Sequence, residues 1–563
     1  MSNVHTYKTY TYKKIIVLLG LIFTIVSMAL RLFWGWDQDE SLIIILAERV
    51  SNGKVLFKDL WDLAQTCGVF SAVFAKAFFL IKGSYEGFAL YMRVVSLVVQ
   101  IVVAVVTYVI FRKHVGKFPA FMAFVVVANI LPRATQQLEY GATSIWAALL
   151  CSLVLYDICK TDENSWGKTI IAAIFYAVSV FSYPTMLLSV PFIVYVTLLR
   201  MPKPRLRYFL AFWLTCMALA MAFFVYLFSA VSPADFLRIL GELGKNGDHS
   251  SFFRAFTTDY YIIRTGTRLL GSLLLAIVMS LLCKRILKLT IEPFYFYVLL
   301  MTLIVVLLNI SGLRPSGPFG FLERYIGATV LAWSIIRKSK DKELVLLFYY
   351  AGIVNFLGAL MGSNLGFNEN AMFLELSIIA FVVSAQYFDG TKGMSGMFCK
   401  CSLCIFLMGI ILFSGYFVRV DGTGPANVFQ CTHYMNDGVL KGIWIDEDKY
   451  TKIKERCEII RDTTDENKEY LIVTNDPIYY FYVNGSYNSV MYTTTAQHNI
   501  QWVDYFTEFD HVYPDAIYVD TYLYPQLNDF YKSEFGEWVN ENYSYEGAGY
   551  EKCFYKMVLN IDQ

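Results

Sequence analysis

The feature that most constrains this chain is a succession of long apolar segments between its N-terminus and residue 418. A helix needs about 20 apolar residues to cross the roughly 30 Å hydrocarbon core of a bilayer. The sequence therefore predicts a mainly α-helical, polytopic membrane protein. About thirteen segments qualify as spans, several of them short: 14–33, 88–111, 118–132, 141–158, 169–183, 185–199, 208–231, 265–283, 293–310, 325–336, 343–361, 371–387 and 401–418.

The composition excludes a soluble globular protein. Hydrophobic residues make up 56% of the chain and charged residues only 17%, whereas a soluble domain has about 25% charged residues. The first apolar segment is followed by the bulky, charged stretch RLFWGWDQDE (31–40) and not by a small-residue cleavage site. We therefore expect this segment to be a permanent anchor and the protein to reside in the cell membrane.

The basic residues predict the orientation in the membrane. Lys and Arg cluster in every second connection, as in 112–117, 200–207 and 284–288, and such connections are cytoplasmic in membrane proteins. The N-terminus is then cytoplasmic. The segments predicted to lie outside are 34–87, 232–264, 311–324, 362–370 and the tail from 419 onward.

The tail differs from the rest in charge and in pattern. Residues 419–563 carry a net charge of −13, which leaves +14 for residues 1–418. We predict two domains: a membrane domain, 1–418, and an extracytoplasmic α/β domain, 419–563, that binds or orients a substrate. Its predicted strands are 470–476, 479–485, 489–494, 515–520 and 553–559, with helices at 449–465 and near 504–509.

The first outer loop concentrates carboxylates. Asp37, Asp39 and Glu40 stand directly after the first span, and Asp59 and Asp62 follow an amphipathic helix that ends at Asn52-Gly53. Acidic residues at a membrane surface are often simply solvated anchors, and composition alone leaves that interpretation open.

Several motifs follow one another along the chain. In the first outer loop they are the Asp39-Glu40 pair, Ala47, Gly53, and Phe57 with Asp59. Further along are Arg93 in LYMRVVSL, RKHVGKFPA (112–120), QQLEYGATS (136–144) and FLERYIGATVLAW (321–333). The order of these motifs resembles the GT-C superfamily of polyprenyl-phosphate-sugar glycosyltransferases, in the branch of protein O-mannosyltransferases and aminoarabinose transferases. The WWD motif of the oligosaccharyltransferase branch is absent, which argues against transfer of whole oligosaccharides to Asn.

The resemblance implies roles for the acidic residues. Asp39 is the candidate base that accepts the proton of the acceptor hydroxyl, with Glu40 as the alternative catalytic residue. Asp37 is either a helper or a charge that favours a helix N-terminus. Asp59 and Asp62 are candidates for positioning the substrate or for a structural role.

It also implies sites for the leaving phosphate. Arg93, Arg324 and Arg314 are candidate donor-phosphate-binding residues, since guanidinium groups suit phosphate; anchoring to lipid headgroups is the alternative. Glu139 is expected to face a substrate-binding cavity among the helices and to position the substrate there. The alternative is that it lies in an interfacial loop. We predict no obligatory metal or other cofactor, although the acids near Asp39 could hold a divalent cation weakly.

The predicted function is transfer of a hexose or pentose, with inversion, from a polyprenyl phosphate to an acceptor outside the cytoplasm. That acceptor could be a cell-surface glycan, a glycolipid or a protein, and no nucleic-acid partner is expected. A polysaccharide polymerase and a lipid-sugar transporter or flippase remain alternatives, because each would also have many spans. The Lys-, Ile- and Tyr-rich composition is typical of a bacterium.

Overall fold

The computed structural model describes residues 2–62, 64–131, 135–161, 165–244, 259–310, 318–362, 367–387, 393–418, 426–492, 500–509, 511–547 and 552–560. Each predicted span coincides with a helical segment, so the mainly helical fold is confirmed. The α-helices of six or more residues in the described ranges are α1 (Ser2–Phe33), α2 (Gln38–Ser51), α3 (Gly68–Lys82), α4 (Phe88–Val115), α5 (Lys117–Asn129), α6 (Tyr140–Thr161), α7 (Trp166–Ser182), α8 (Val190–Tyr195), α9 (Arg205–Phe228), α10 (Pro233–Gly244), α11 (Asp259–Leu282), α12 (Pro293–Ile310), α13 (Pro318–Ile336), α14 (Ala351–Met361), α15 (Glu375–Tyr387), α16 (Met394–Tyr416), α17 (Glu447–Thr463), α18 (Ile500–Thr507) and α19 (Glu534–Asn542).

Eight helical segments in the described part of the chain are long and apolar enough to cross a membrane, and shorter apolar helices lie between them. One of the eight, Gln65–Lys82, contains α3. The charge pattern places this segment in the first outer loop. In the structure α3 packs along α2, so the two helices of that loop form one unit.

The helices of the bundle approach each other closely where a residue is small or where a polar side chain makes hydrogen bonds between helices. A Cβ added at Gly415 of α16 would lie 2.7 Å from the Cα of Ser27, so glycine permits close contact between α1 and α16. Near the end of α1, Arg31 donates hydrogen bonds to Ser414 Oγ (3.0 Å) and to the carbonyl of Ala128 (3.0 Å). These contacts join the first span to α16 and α5.

The tail forms the predicted α/β domain around a five-stranded sheet. Its strand order is β6-β5-β7-β9-β8, in which β5, β6 and β7 are parallel to one another and β9 is antiparallel to both of its neighbours, β7 and β8. Short antiparallel pairs, β1 with β2 and β3 with β4, precede the sheet. The strands are β1 (Phe417–Val418), β2 (Ala426–Asn427), β3 (His433–Tyr434), β4 (Trp444–Ile445), β5 (Glu469–Val473), β6 (Ser486–Tyr487), β7 (Ala516–Asp520), β8 (Tyr543–Glu546) and β9 (Phe554–Leu559).

One predicted strand is wrong, and a second is wrong over the part that the structure describes. The segment 479–485 lies mostly in a 3-10 helix, Pro477–Tyr482, because Pro477 favours the first turn and the Asp476 carboxylate accepts a hydrogen bond from the amide of Ile478 (3.2 Å). Within 489–494, the described residues 489–492 are not a strand. Helix α19 and strand β8 were not anticipated.

The sheet has two apolar faces, and the first outer loop covers part of one. Tyr470 and Ile472 of β5 point to the same core as Ile44, Ile45 and Ala47 of α2. The alternate residues of β5 point to a second core on the opposite face, which α10, α18 and α19 share. Helix α2 therefore packs as part of the tail's core, although it precedes the tail by several hundred residues. The domain boundary at 418/419 remains a prediction of the sequence.

Candidate active site

The candidate site is built around the start of α2. Asp37 is buried, has extended backbone angles and is the N-cap of the helix, with its Oδ1 accepting a hydrogen bond from the amide of Asp39 (2.9 Å). A carboxylate is among the best N-caps, and acidic residues in the first turn interact favourably with the helix dipole. The sequence DQDE thus fixes where α2 begins, and with it the positions of Asp39 and Glu40.

Glu40 forms a buried, bidentate ion pair with Arg93 of α4. The Oε1–Nη2 distance is 2.6 Å and the Oε2–Nε distance 2.8 Å, and only 3% of Glu40 and 2% of Arg93 are exposed. Gln137 Nε2 donates a further hydrogen bond to Glu40 Oε2 (3.2 Å). Removing one partner of such a pair leaves an uncompensated buried charge, which costs about 3 to 5 kcal/mol.

Arg93 is also bound to the chain that leads into α2. Its Nη2 donates to the carbonyl of Gly35 (2.6 Å) and its Nη1 to that of Leu32 (3.0 Å), and the guanidinium lies 5.3 Å from the Trp36 ring. Every nitrogen of this guanidinium therefore has a partner within the protein.

Asp39 is only half-buried, whereas the nearby carboxylates of Asp37 and Glu40 are buried. Asp62 lies near it and is 5% exposed, with Oδ1 accepting a hydrogen bond from the amide of Ala64 (2.9 Å). Burial raises the pKa of the Asp62 carboxyl to about 6; the Ala64 amide opposes this rise and the negative charge of Asp39 adds to it. The first outer loop thus brings the two carboxylates into electrostatic contact.

Glu139 belongs to the same region. It is buried just before α6, and its Oε1 accepts a hydrogen bond from the amide of Ala142 (2.7 Å). The carboxylates of Glu139 and Asp62 both lie close enough to the Cys67 thiol to interact with it electrostatically. Asp62 therefore interacts electrostatically with Asp39, and Asp62 and Glu139 both interact with Cys67.

The remaining predicted residues lie elsewhere. The Oδ2 of Asp59 accepts a hydrogen bond from the amide of Val55 (2.7 Å) and closes a turn in which Phe57 has a φ of 60°. Arg324 lies in α13, directly before the buried Tyr325. Arg314 lies outside the described residues.

Three contributors were not singled out from the sequence. Gln137 belongs to the polar stretch 136–144, which was one of the motifs of the resemblance, although this residue was not named individually. Trp36, under the Arg93 guanidinium, is also next to the acidic cluster. Lys449, which contacts the carbonyl of Trp36, is 413 residues away in sequence, and no local pattern could have indicated it.

No metal centre is evident within the described ranges. No three His, Cys, Asp or Glu side chains there converge in a way that would hold a metal ion. A weakly bound divalent cation near Asp39 remains a prediction.

Comparisons with known proteins give structural matches only. No protein-family model and no curated protein sequence matches the chain. The fold is similar to the Archaeoglobus fulgidus oligosaccharyltransferase in complex with zinc and sulfate, with 9% identity, a TM-score of 0.49, and coverage of 96% of this chain and 74% of that one. It is similar to ArnT from Cupriavidus metallidurans, in the apo state and bound to undecaprenyl phosphate, with 11% identity, a TM-score of 0.45, and 98% of both chains covered. At this level of similarity, we base the function on the chain's own residues.

Proposed function

We propose that this protein is a membrane glycosyltransferase that transfers one sugar from a polyprenyl phosphate to a hydroxyl-bearing acceptor outside the cytoplasm. The observation that carries the proposal is the half-buried Asp39, which stands at the predicted outer end of the first span beside the buried Glu40–Arg93 ion pair. A polyprenyl donor places its phosphate at the membrane surface and its tail in the bilayer. A carboxylate at this depth is therefore suitably placed to act on the sugar carbon.

In the proposed reaction, Asp39 accepts the proton of the acceptor hydroxyl as that oxygen bonds to the anomeric carbon. The bond between this carbon and the phosphate oxygen breaks, and polyprenyl phosphate leaves with the bonding electrons. Attack from the face opposite the phosphate inverts the anomeric configuration. Arg324 and Arg314 remain the candidates for neutralising the leaving phosphate.

The contacts of Glu40 and Arg93 support a different role for these two residues. Because the Arg93 nitrogens bind Glu40 and the carbonyls that precede α2, we assign Arg93 to positioning Glu40 and the start of α2. Asp62 and Glu139 are proposed to bind acceptor hydroxyls, since Asp62 interacts electrostatically with Asp39 and both carboxylates interact with the Cys67 thiol. Asp37 is proposed to act as a helix cap and Asp59 as a turn-forming residue.

The first prediction concerns Asp39→Asn, which preserves the shape of the side chain and removes its negative charge. A general base contributes typically about 10² to 10⁴ in rate, so turnover is expected to fall by that factor while donor binding persists. The measurement is release of polyprenyl phosphate from a labelled donor by purified protein in nanodiscs, normalised to folded protein. The matched control is Asp465→Asn, which removes an exposed carboxylate of the tail.

The same assay separates the alternatives. A transporter or flippase would move the donor without releasing polyprenyl phosphate. That result would overturn the proposed function. Near-normal turnover in Asp39→Asn together with a collapse in Glu40→Gln would transfer the role of base to Glu40.

A further inference from the structure

The segment that leads into α2 is held from two sides. From the membrane side, Arg93 binds the carbonyl of Gly35 (2.6 Å). From the tail, the carbonyl of Trp444 accepts a hydrogen bond from the Gly35 amide (2.8 Å), and Lys449 Nζ donates to the carbonyl of Trp36 (3.1 Å). Both sides thus act on the two residues that directly precede the N-cap, Asp37.

Lys449 is itself fixed and buried. It lies in the first turn of α17, where its amide donates to the Oδ1 of the N-cap Asp446 (3.0 Å), and only 7% of the residue is exposed. Its Nζ is 4.0 Å from the Oδ2 of Asp476, which compensates part of the charge. A buried ammonium group is costly unless it is paired and hydrogen-bonded. The peptide carbonyl of Trp36 is therefore one of the groups that satisfy this lysine.

The tail also holds the other end of α2. Glu48 is buried and its Oε2 accepts a hydrogen bond from the hydroxyl of Tyr487 (3.0 Å). Arg49 donates to the carbonyl of Tyr487 (2.8 Å), and its guanidinium lies 4.5 Å from the centre of that ring. Between the two ends, Ile44, Ile45 and Ala47 are fully buried in the core shared with the tail.

From these contacts we infer that the tail positions the catalytic helix, and that Lys449 is the positioning residue at the end that carries Asp39. The inference rests on the proposed function, because Lys449 would act through the Trp36 carbonyl on the placement of the base. The tail is predicted to bind or orient a substrate, and this inference adds a direct influence on the chemical step.

The test is Lys449→Met, which keeps most of the apolar stem and removes the donor. A misplacement of about 1 Å can cost about 10²-fold in rate, so kcat is expected to fall by about 10- to 100-fold while KM for donor and acceptor changes little. Lys449→Arg keeps a charged donor and should retain most of the turnover. The control is Lys452→Met, one helical turn further along α17, where Nζ lies 3.5 Å from the Tyr522 ring centre.

A second readout does not depend on activity. Hydrogen–deuterium exchange of full-length protein in nanodiscs should be faster over residues 36–41 in Lys449→Met than in the wild type, and unchanged there in Lys452→Met. If Lys449→Met does not fold, Lys449→Gln replaces it, since its polar side chain is shorter and lacks the ammonium group.

The outcomes distinguish the two proposals. Wild-type kcat and exchange in the folded Lys449 variant, or equal losses in the Lys452 control, would overturn the positioning role. If exchange over 36–41 is faster in the Lys449 variant but the wild type releases no polyprenyl phosphate from any donor, positioning by Lys449 is supported and the glycosyltransferase reaction is rejected.

Discussion

The carboxylates around the start of α2 differ in how each is held. Asp37, Glu40, Asp62 and Glu139 are buried and accept hydrogen bonds from a backbone amide or from Arg93, as buried charges require. Asp39 is half-buried and so remains within reach of an acceptor hydroxyl. This difference in exposure favours Asp39 as the base. The sequence alone does not reveal it, because the five carboxylate side chains are chemically similar.

The burial of Asp62 predicts that the stability of the protein depends on pH. Burial raises the pKa of its carboxyl in the folded protein to about 6, above the value of about 3.9 in an unfolded chain. Between these values the folded state binds more protons, so stability is lost as pH rises through this range. Asp62→Asn cannot ionise and avoids this loss, which amounts to about 1 kcal/mol between about pH 5 and 7.5.

The measurement is the melting temperature of purified protein at these two pH values. The difference between Asp62→Asn and the wild type should be more positive at the higher pH. Thr66→Val alters a neutral buried side chain of the same loop and should shift the melting temperature equally at both. A pH-independent difference for Asp62→Asn would contradict the raised pKa.

At the scale of the element, α2 depends on its cap. The Asp37 carboxylate accepts the hydrogen bond of the Asp39 amide, and replacing a capping side chain by Ala costs about 0.5 to 2 kcal/mol. Asp37→Ala should therefore lower both the free energy of unfolding and turnover, because the first helical turn carries Asp39. Asp37→Ser keeps a capping oxygen and should preserve most of both.

The comparison of these two variants also decides between the two roles that the sequence left open for Asp37. Denaturation and sugar-transfer assays on both proteins provide the measurement. If Ser loses as much turnover as Ala while stability is retained, the negative charge of Asp37 takes part in the reaction and capping is not its main contribution.

The elements that sequence predicts well are those whose signal is local. Apolar runs such as 88–111 became helices because burying that surface in lipid or protein outweighs other preferences. The segment 479–485 is apolar and aromatic like a strand. However, Asp476 and Pro477 start a 3-10 helix that continues to Tyr482 and so includes the first part of this segment. The residues that build the site were harder to place, because Glu40 and Arg93 are 53 positions apart and their pairing is set by packing.

At the scale of the whole molecule, segments that are predicted to lie on the same side of the membrane contact one another. The first outer loop and α10, both predicted to lie outside, contact the tail, as in the ion pair of Arg238 with Glu508. Basic residues from connections predicted to lie inside meet Asp157, which is 2.8 Å from Lys168 and 3.1 Å from Lys113. The contacts agree with the alternation of charge in the sequence, and the identity of the cytoplasmic side remains a prediction.

That prediction can be tested by thiol labelling in intact cells. Asp437→Cys places a probe at an exposed position of the tail, and Arg207→Cys places one at an exposed position of a basic connection, each in a Cys401→Ser background that removes an exposed native thiol. Since basic connections stay in the cytoplasm, a membrane-impermeant reagent should label position 437 in intact cells and position 207 only after permeabilisation. The reverse pattern would invert the topology and move Asp39 to the cytoplasmic surface, where an extracytoplasmic acceptor could not reach it.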